Sequence, residues 1–459
     1  MLKRLLPTKK IEANEYLVLL YRFSLLMLVY SVCRILFFLF NTASFPKVTF
    51  FSFLTILKGG LMFDTSALLY LNAVYILLFL LPLQFKFSSW YQKFLKWFFM
   101  FTNGVGIAFN LIDIVYFRYI LKRTTASMFD VAAFDAGNTN LIMRFFYDFW
   151  YIPLMLVVFM FALSALYDLL KPKPFRLRNQ FVYFLSGLPV IFIVFVLSVI
   201  GMRGGWRHST RPINMNNAGA FVQAPEEMAI VQNTPFCIFR TWGKKAFVHK
   251  KYFASEEELN RIYSPVHIPQ SVEPPKKDNV VIIILESFSR AFVGSLNLQL
   301  TDPRDRSYTP FLDSLIHESL VFTNAFANGR KSIDAIPSVT ASIPALVLPY
   351  VISERSGNAI NSIASLLSPQ GYQTAFFHGA PNGSMGFDAF TKIAGFQRYV
   401  GKNEYGIEAD FDGIWGVWDE PFFQFFAHEM NKMQEPFATT LFSVSSHHPY
   451  EIPANYKGK

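Results

Sequence analysis

Two stretches of this chain bring together residue types suited to breaking a phosphate ester. Glu286 follows Asn279-Val280-Val281-Ile282-Ile283-Ile284-Leu285, a β-branched run that reads as a strand buried on both faces of a parallel sheet. Its carboxylate therefore falls at the carboxyl end of a strand, where open α/β sheets gather ligands and chemistry. About forty-five residues on, Asn328-Gly329-Arg330-Lys331-Ser332 leads into a second element, a helix. Pro337 has no N–H and fits a first helical turn, which places Ser332 at the N-terminal edge of that helix. Backbone N–H groups and the helix dipole favour an anion there, and Arg330 and Lys331 add positive charge. The expected division of labour is Glu286 as ligand to a divalent metal, Ser332 as nucleophile, and Arg330 and Lys331 as substrate-binding cations. A lone Glu at a strand end is more often solvated, and a lone Ser before a helix is more often an N-cap. The ordered combination is much rarer than its parts.

Two histidines are expected on the same edge. His378 follows the strand Tyr372 to Phe377, which is preceded by a helix from Ile360 to Leu367 that ends at Pro369-Gln370-Gly371. His447 follows the apolar strand Phe437 to Val444. As a neutral donor or a cation, His378 suits a phosphate oxygen. The competing reading is a loop histidine bonded to backbone. A helix from Tyr308-Thr309-Pro310 and a strand over Leu320 to Phe326 complete an alternation that argues for an α/β sandwich around a largely parallel sheet.

These elements need a platform, and composition says what it is. Of 459 residues, 52% are hydrophobic and 52 are Phe, crowded into the first two hundred. Apolar runs at about Tyr16 to Phe40, Thr65 to Leu83, Leu95 to Phe117, Trp150 to Leu170 and Phe181 to Met202 each approach the length that crosses hydrocarbon. Five transmembrane helices are expected. The piece Val48 to Met62, interrupted by Gly59-Gly60, is expected to lie as a separate interfacial helix. The net charge of +10 clusters between apolar segments rather than in a nucleic-acid-binding stripe. Lys86, Lys93 and Lys96, and the loop Lys171 to Arg178, share a side with the basic N-terminus, so that side is cytoplasmic and the chain after Met202 lies outside. Lys122, Arg123 and Arg144 fall on the outer side and run against this count.

Cys33 and Cys237 are too far apart in kind and place to suggest a disulfide framework. Within the spans, Asn110 and Asp113 share a helix face, and the simplest role for Asp113 is pairing with Arg34. The domain reading is 1–202 transmembrane; 203–270 an extracytoplasmic linker, extended around Arg211-Pro212-Ile213-Asn214, with a capped helix after Ser255; and 271–459 catalytic. Trp206, Phe236 and Trp242 of the linker are expected to pack as core.

The order strand, Glu286-Ser287-Phe288, then Gly329-Arg330-Lys331-Ser332 at a helix start resembles the membrane-anchored branch of the alkaline phosphatase and sulfatase superfamily, nearest the lipoteichoic acid synthase-like phosphoglycerol transferases. Five spans before an outer catalytic domain is also that family's layout. The resemblance implies an alkaline-phosphatase-like sandwich and one divalent metal, manganese, magnesium or zinc, on Glu286 and Ser332. It also implies a covalent Ser332 intermediate, a phospholipid donor and an envelope glycan or lipid acceptor, at the cytoplasmic membrane. His447, just before His448-Pro449-Tyr450, matches a family histidine that contacts the substrate phosphate.

Three departures stand beside this. No Asp-His dipeptide occurs, although the family's metal sites need one on a later strand, and the expectation is that the chain is a fragment ending before it. Serine replaces the synthases' threonine. Asn382-Gly383-Ser384-Met385-Gly386-Phe387-Asp388 lacks the Trp and Arg of the synthases' Trp-Asn-Arg cluster, which weakens the case for a glycerol-phosphate substrate. Asp334 and Ile336 stand where sulfatases need Pro and Arg to mature their nucleophile, which argues against a true sulfate-ester hydrolase. The alternatives are a phosphoethanolamine transferase, a phosphodiesterase or sulfatase-like hydrolase, and a non-catalytic envelope protein.

Overall fold

The computed structural model describes residues 11–126, 128–129, 147–174, 180–206, 212–243, 251–264, 266, 268, 276–297, 307–329, 331–346, 348–447, 450–453 and 456–457. Arg144, the basic residues 176 and 178, Arg330 and His448 lie outside them.

Among the described residues, four helices are long and apolar enough to cross a membrane: α1 (Glu15–Phe40), α2 (Phe50–Leu80), α3 (Ser89–Ile120) and α5 (Gln180–Arg203). Between the last two, α4 (Tyr151–Tyr167) is apolar but only 17 residues long, a rise of about 26 Å at 1.5 Å per residue. One end of the bundle is tied by a short parallel pair, β1 (Ile11–Ala13) with β2 (Leu170–Pro172). At the same end Lys86 Nζ lies 2.7 Å from Glu15 Oε2 and Lys96 Nζ 2.6 Å from Asp168 Oδ2.

The expected break at Gly59-Gly60 is absent, and α2 runs unbroken from Phe50 to Leu80. The glycines serve packing instead. A Cβ on Gly60 would lie 2.3 Å from Arg34 Nε, and one on Gly59 would lie 2.4 Å from Phe221 Cγ, so only glycine lets those side chains cross the helix face. The polar pairing also differs from expectation. Arg34 is bonded to Asp64, while Asp113 lies 3.9 Å from Arg123 Nη1 and accepts hydrogen bonds from Thr124 N at 3.0 Å and Thr234 Oγ1 at 2.6 Å. Both acids are buried. Position along each helix, which periodicity cannot give, chose the partners. Cys33 and Cys237 are free and buried.

The segment after α5 is not an extended linker. Residues 212–243 fold against the bundle: Met215–Phe221 is a 3₁₀ helix, Met228–Val231 a helical turn and α6 (Thr234–Thr241) a short helix. Ile230, Val231, Phe236 and Cys237 are fully or nearly buried. Phe236 meets Phe63 edge-on with ring centroids 4.8 Å apart, but Trp206 is 82% exposed and Trp242 66%, so neither is core. Further on, Ser255 caps α7 (Glu256–Ile262), with Glu258 N donating to Ser255 Oγ at 3.3 Å.

Among the described residues, the C-terminal domain is built on a four-stranded, all-parallel sheet in the order β3 (Val280–Ile284), β6 (Phe437–Phe442), β4 (Gln373–His378), β5 (Arg398–Val400). The two central strands, β4 and β6, are buried on both faces. Between β3 and β4 come α8 (Pro310–Ile316) and α9 (Ser332–Ala341), and α10 (Phe387–Ile393) and α11 (Asp419–Met430) follow β4 and β5. Two clusters, one around Ile336, Phe376, Phe387 and Phe390 and the other around Phe377, Phe422, Phe426 and Leu441, form the core on the two faces of the sheet.

Three expectations fail here. Among the described residues β3 pairs with β6 alone and lies at the sheet's edge, with Val281 and Ile283 42% and 51% exposed. Leu320 to Phe326 is not a strand and pairs with no strand among the described residues. The helix expected from Ile360 starts at Ile363, where Ser362 caps it.

Candidate active site

Parallel strands carry their following loops to one edge, so the sheet order gathers what the sequence separates. Glu286 comes off β3, His378 ends β4, and Ser443 to His447 follow β6. Ser443 N donates to Ile284 O at 3.0 Å, and Glu286 N donates to Ser443 Oγ at 2.8 Å, so the two strand ends are stitched together at the site. Ser287 then adopts a left-handed φ of 50°, an uncommon conformation for a non-glycine residue, which turns the chain sharply at Glu286.

Ser332 is the first residue of α9, as spacing requires, although Pro337 sits inside the helix rather than in its first turn. The decisive contact is between the two predicted residues: Ser332 Oγ donates to Glu286 Oε2 at 2.7 Å. The other carboxylate oxygen accepts from Ser287 Oγ at 2.9 Å. A hydroxyl held on a carboxylate at this distance is the geometry of a nucleophile with its base. Both oxygens are also hard donors of the kind magnesium and manganese take.

Glu286, Lys331, Ser332, His378 and His447 line one cavity of about 690 Å³. Of the six residues singled out from sequence, Arg330 lies outside the described residues and the other five come together.

His378 adopts the backbone-bonded arrangement. It is buried, its ring stacks on Phe442 with centroids 4.8 Å apart, and its Nδ1 lies 3.0 Å from Phe442 O. A carbonyl partner requires the proton on Nδ1, which leaves Nε2 an acceptor. The residue thus fits a hydroxyl better than a phosphate oxygen.

Burial pushes the His378 pKa down to about 4, against the smaller opposing effects of the Phe442 carbonyl and Glu286. The unfolded value is about 6.5. Protonation therefore favours the unfolded chain. The penalty begins as pH falls below about 6.5 and grows toward pH 4, reaching roughly 3 kcal/mol in the limit. Urea melts of wild type and H378N at pH 7 and pH 5 should show the wild type losing more stability on acidification. Equal losses would exclude His378 as the source.

His447 is held by a residue the sequence reading did not single out. The Trp415 ring lies with its centroid 3.8 Å from that of His447. Trp415 is set by a loop in which Asp412 Oδ1 accepts from Ile414, Trp415 and Gly416 N at 2.8, 2.7 and 3.0 Å. Asp412-Gly413 followed by Trp is the sequence signal that could have found it. A further wall of the cavity is formed by Pro212, Ile213, Asn214 and Arg240, from a segment read as linker.

With this geometry in place, the comparisons with known proteins fall into line. Residues 278–459, less than half of the chain, match the Sulfatase family model. The chain is 23% identical over 431 residues to lipoteichoic acid synthase of Staphylococcus aureus, covering 91% of this chain and 63% of that protein. It is 25% identical over 200 residues to lipoteichoic acid synthase 2 of Bacillus subtilis, covering 42% of this chain and 30% of that one. The chain thus spans about a third to two thirds of the length of these relatives. Among solved structures, LtaP, the lipoteichoic acid synthase of Listeria monocytogenes, matches at 28% identity and a TM-score of 0.34 over 39% of this chain and 43% of its own.

Proposed function

We propose that this chain is part of a membrane-bound phosphotransferase that moves a phosphoglycerol-type headgroup from a phospholipid to an envelope glycan or lipid acceptor. The observation that supports this reading most is the 2.7 Å bond from Ser332 Oγ to Glu286 Oε2 inside the cavity, at the carboxyl edge of the sheet. The relatives' names, lipoteichoic acid synthases, support a cell-envelope polymer as the product side of this reading. Five crossings with basic loops beside the N-terminus would put that terminus in the cytoplasm and residues from 203 onward outside, next to the lipid donor. The working division is 1–202 membrane, 203–270 connector and 271–459 catalytic.

In the proposed reaction Ser332 Oγ attacks the headgroup phosphorus as its proton passes to Glu286. The bond to the diacylglycerol oxygen breaks, that oxygen takes up a proton, and phosphoglycerol stays on Ser332. An acceptor hydroxyl then attacks the phosphorus and loses its proton, the bond to Ser332 Oγ breaks, and Ser332 Oγ takes a proton to regenerate the hydroxyl. His378 Nε2 is suited to accept a hydrogen bond from the acceptor hydroxyl, while Lys331 and Arg330 offset the phosphate charge and His447 hydrogen-bonds a phosphate oxygen. The site's two converging oxygens fit a divalent cation in type, and among the described residues no cluster of three or more His, Cys, Asp or Glu adds to them. Glu286 and Ser332 would hold such an ion, and its chemistry is to lower the pKa of a bound hydroxyl.

Vesicles containing phosphatidylglycerol with a labelled glycerol headgroup test the reading. Label is expected in a glycan or glycolipid product, with one diacylglycerol formed per transfer. Free labelled glycerol phosphate would instead indicate a phosphodiesterase, and no release at all from the full-length protein would favour a non-catalytic envelope protein.

A further inference from the structure

The cavity has a membrane-side wall that the proposed reaction leaves idle. Its charged residue is Arg240, near the end of α6. Arg240 sits where bundle and outer domain meet: its Nη2 donates to Met202 O at 3.4 Å, and its guanidinium carbon lies 5.6 Å from the Tyr70 ring centroid. Met202 is one residue from the end of α5, a long apolar helix that packs against α2 and the residues just after it on one side, where Gly201 meets Leu69 and Gly187 meets Pro82, and is exposed on the other. The end of α5 marks the limit of the hydrocarbon, and Arg240 stands at that limit, at headgroup level. Three exposed rings frame it: Tyr70, Phe239 and Trp242, the first two with centroids 5.8 Å apart. Aromatic rings partly in water and partly in lipid are the mark of the membrane interface. No carboxylate lies within ion-pair distance of Arg240 among the described residues.

An unneutralised guanidinium at headgroup level, lining the cavity that holds Ser332, calls for an anion. We propose that Arg240 docks the phosphate of a glycerophospholipid at the membrane-side mouth of the cavity, with the acyl chains remaining in the bilayer beside α2 and α5. A guanidinium grips a phosphodiester through two parallel N–H bonds, which a point charge does not do. A space of about 690 Å³ takes a headgroup and leaves the chains outside. Delivery of that lipid to Ser332 rests on the transferase reading; the docking itself does not.

The competing role is structural, with Arg240 placing positive charge at the carbonyl end of α5. Lipid binding separates the two. The full chain in neutral detergent is titrated with dioleoylphosphatidylglycerol and, in parallel, with dioleoylglycerol, using native mass spectrometry, for wild type, R240Q and S332A. R240Q is expected to bind phosphatidylglycerol about tenfold more weakly and dioleoylglycerol unchanged, while S332A binds both as wild type does. Wild type binding the two lipids equally, R240Q matching wild type, or R240Q losing both lipids alike would overturn the proposal. So would displacement of the lipid by an equal concentration of free glycerol phosphate. Should R240Q not fold, salt carries the test. Raising NaCl from about 0.05 to about 0.5 M should weaken wild-type binding of phosphatidylglycerol but not of dioleoylglycerol, and a salt-independent affinity would overturn the idea. If S332A turned over lipid like wild type, the nucleophile assignment would fall while the Arg240 result stood.

Discussion

S332A should abolish lipid turnover, by about four orders of magnitude or more, while leaving the fold in place. The first half follows from chemistry: a covalent step loses its nucleophile, and the other hydroxyl on Glu286, Ser287 Oγ, is bonded to the opposite carboxylate oxygen and away from the start of α9. The second half follows from packing. Ser332 is half-buried, and the substitution removes one hydrogen bond, to Glu286, which costs about 1 kcal/mol. Glu286 keeps its bond from Ser287 and its backbone tie to Ser443. S332T is expected to retain much of the activity, since the hydroxyl can occupy the same place at the start of α9. Diacylglycerol release from phosphatidylglycerol vesicles measures the first effect, and melting by circular dichroism measures the second. Turnover by S332A at more than a few hundredths of the wild-type rate would remove Ser332 from the mechanism.

The largest loss of stability is expected from R34M, far from the reacting groups. Arg34 is buried in α1 and holds five groups at once: Asp64 of α2, Gly60 O at 3.1 Å, and the carbonyls of Ile230, Val231 and Gln232 at 2.6, 2.6 and 3.1 Å. Asp64 also accepts from Asn233 Nδ2 at 2.9 Å. Removing the guanidinium leaves a buried carboxylate and three carbonyls of the 230–232 turn without their donor, a cost of about 3–5 kcal/mol. Thermal melts in detergent should show a large fall for R34M and a smaller one for R34M with D64L, because the second change removes the stranded charge. If the double variant melted lower still, by the sum of the two single effects, the pair would be uncoupled. The same turn leads into α6, so loosening it should also disturb the cavity wall that carries Arg240.

Much of the site was legible in the chain. A β-branched run ending in an acid, a polar turn before a helix, and two strand-to-histidine junctions are local signals, and parallel strands can only send their carboxyl ends to one edge. That is why Glu286, Ser332, Lys331, His378 and His447 meet in one cavity although up to 161 positions separate them. The apolar runs likewise specified their helices, since 17 to 32 residues of such composition have no other stable form in lipid.

Other features were not legible, because they depend on neighbours rather than on local pattern. The run Val280 to Ile284 states a strand but not how many strands flank it, so only the fold could show an edge. Gly59-Gly60 reads as a break until Arg34 and Phe221 are seen crossing it. Asp113 and Arg34 suit each other in type, yet helix rotation and height gave each a different partner. His378 promised a phosphate contact from its position alone, and its tautomer was decided by the carbonyl of Phe442, a residue 64 positions away. The polar stretch after α5 looked like a tether because its composition is that of loops, and tertiary packing made it the membrane-side wall of the site. Sequence determined which groups are present and the edge they share; the packing of distant segments decided their protonation, their partners and the direction from which a ligand can reach them.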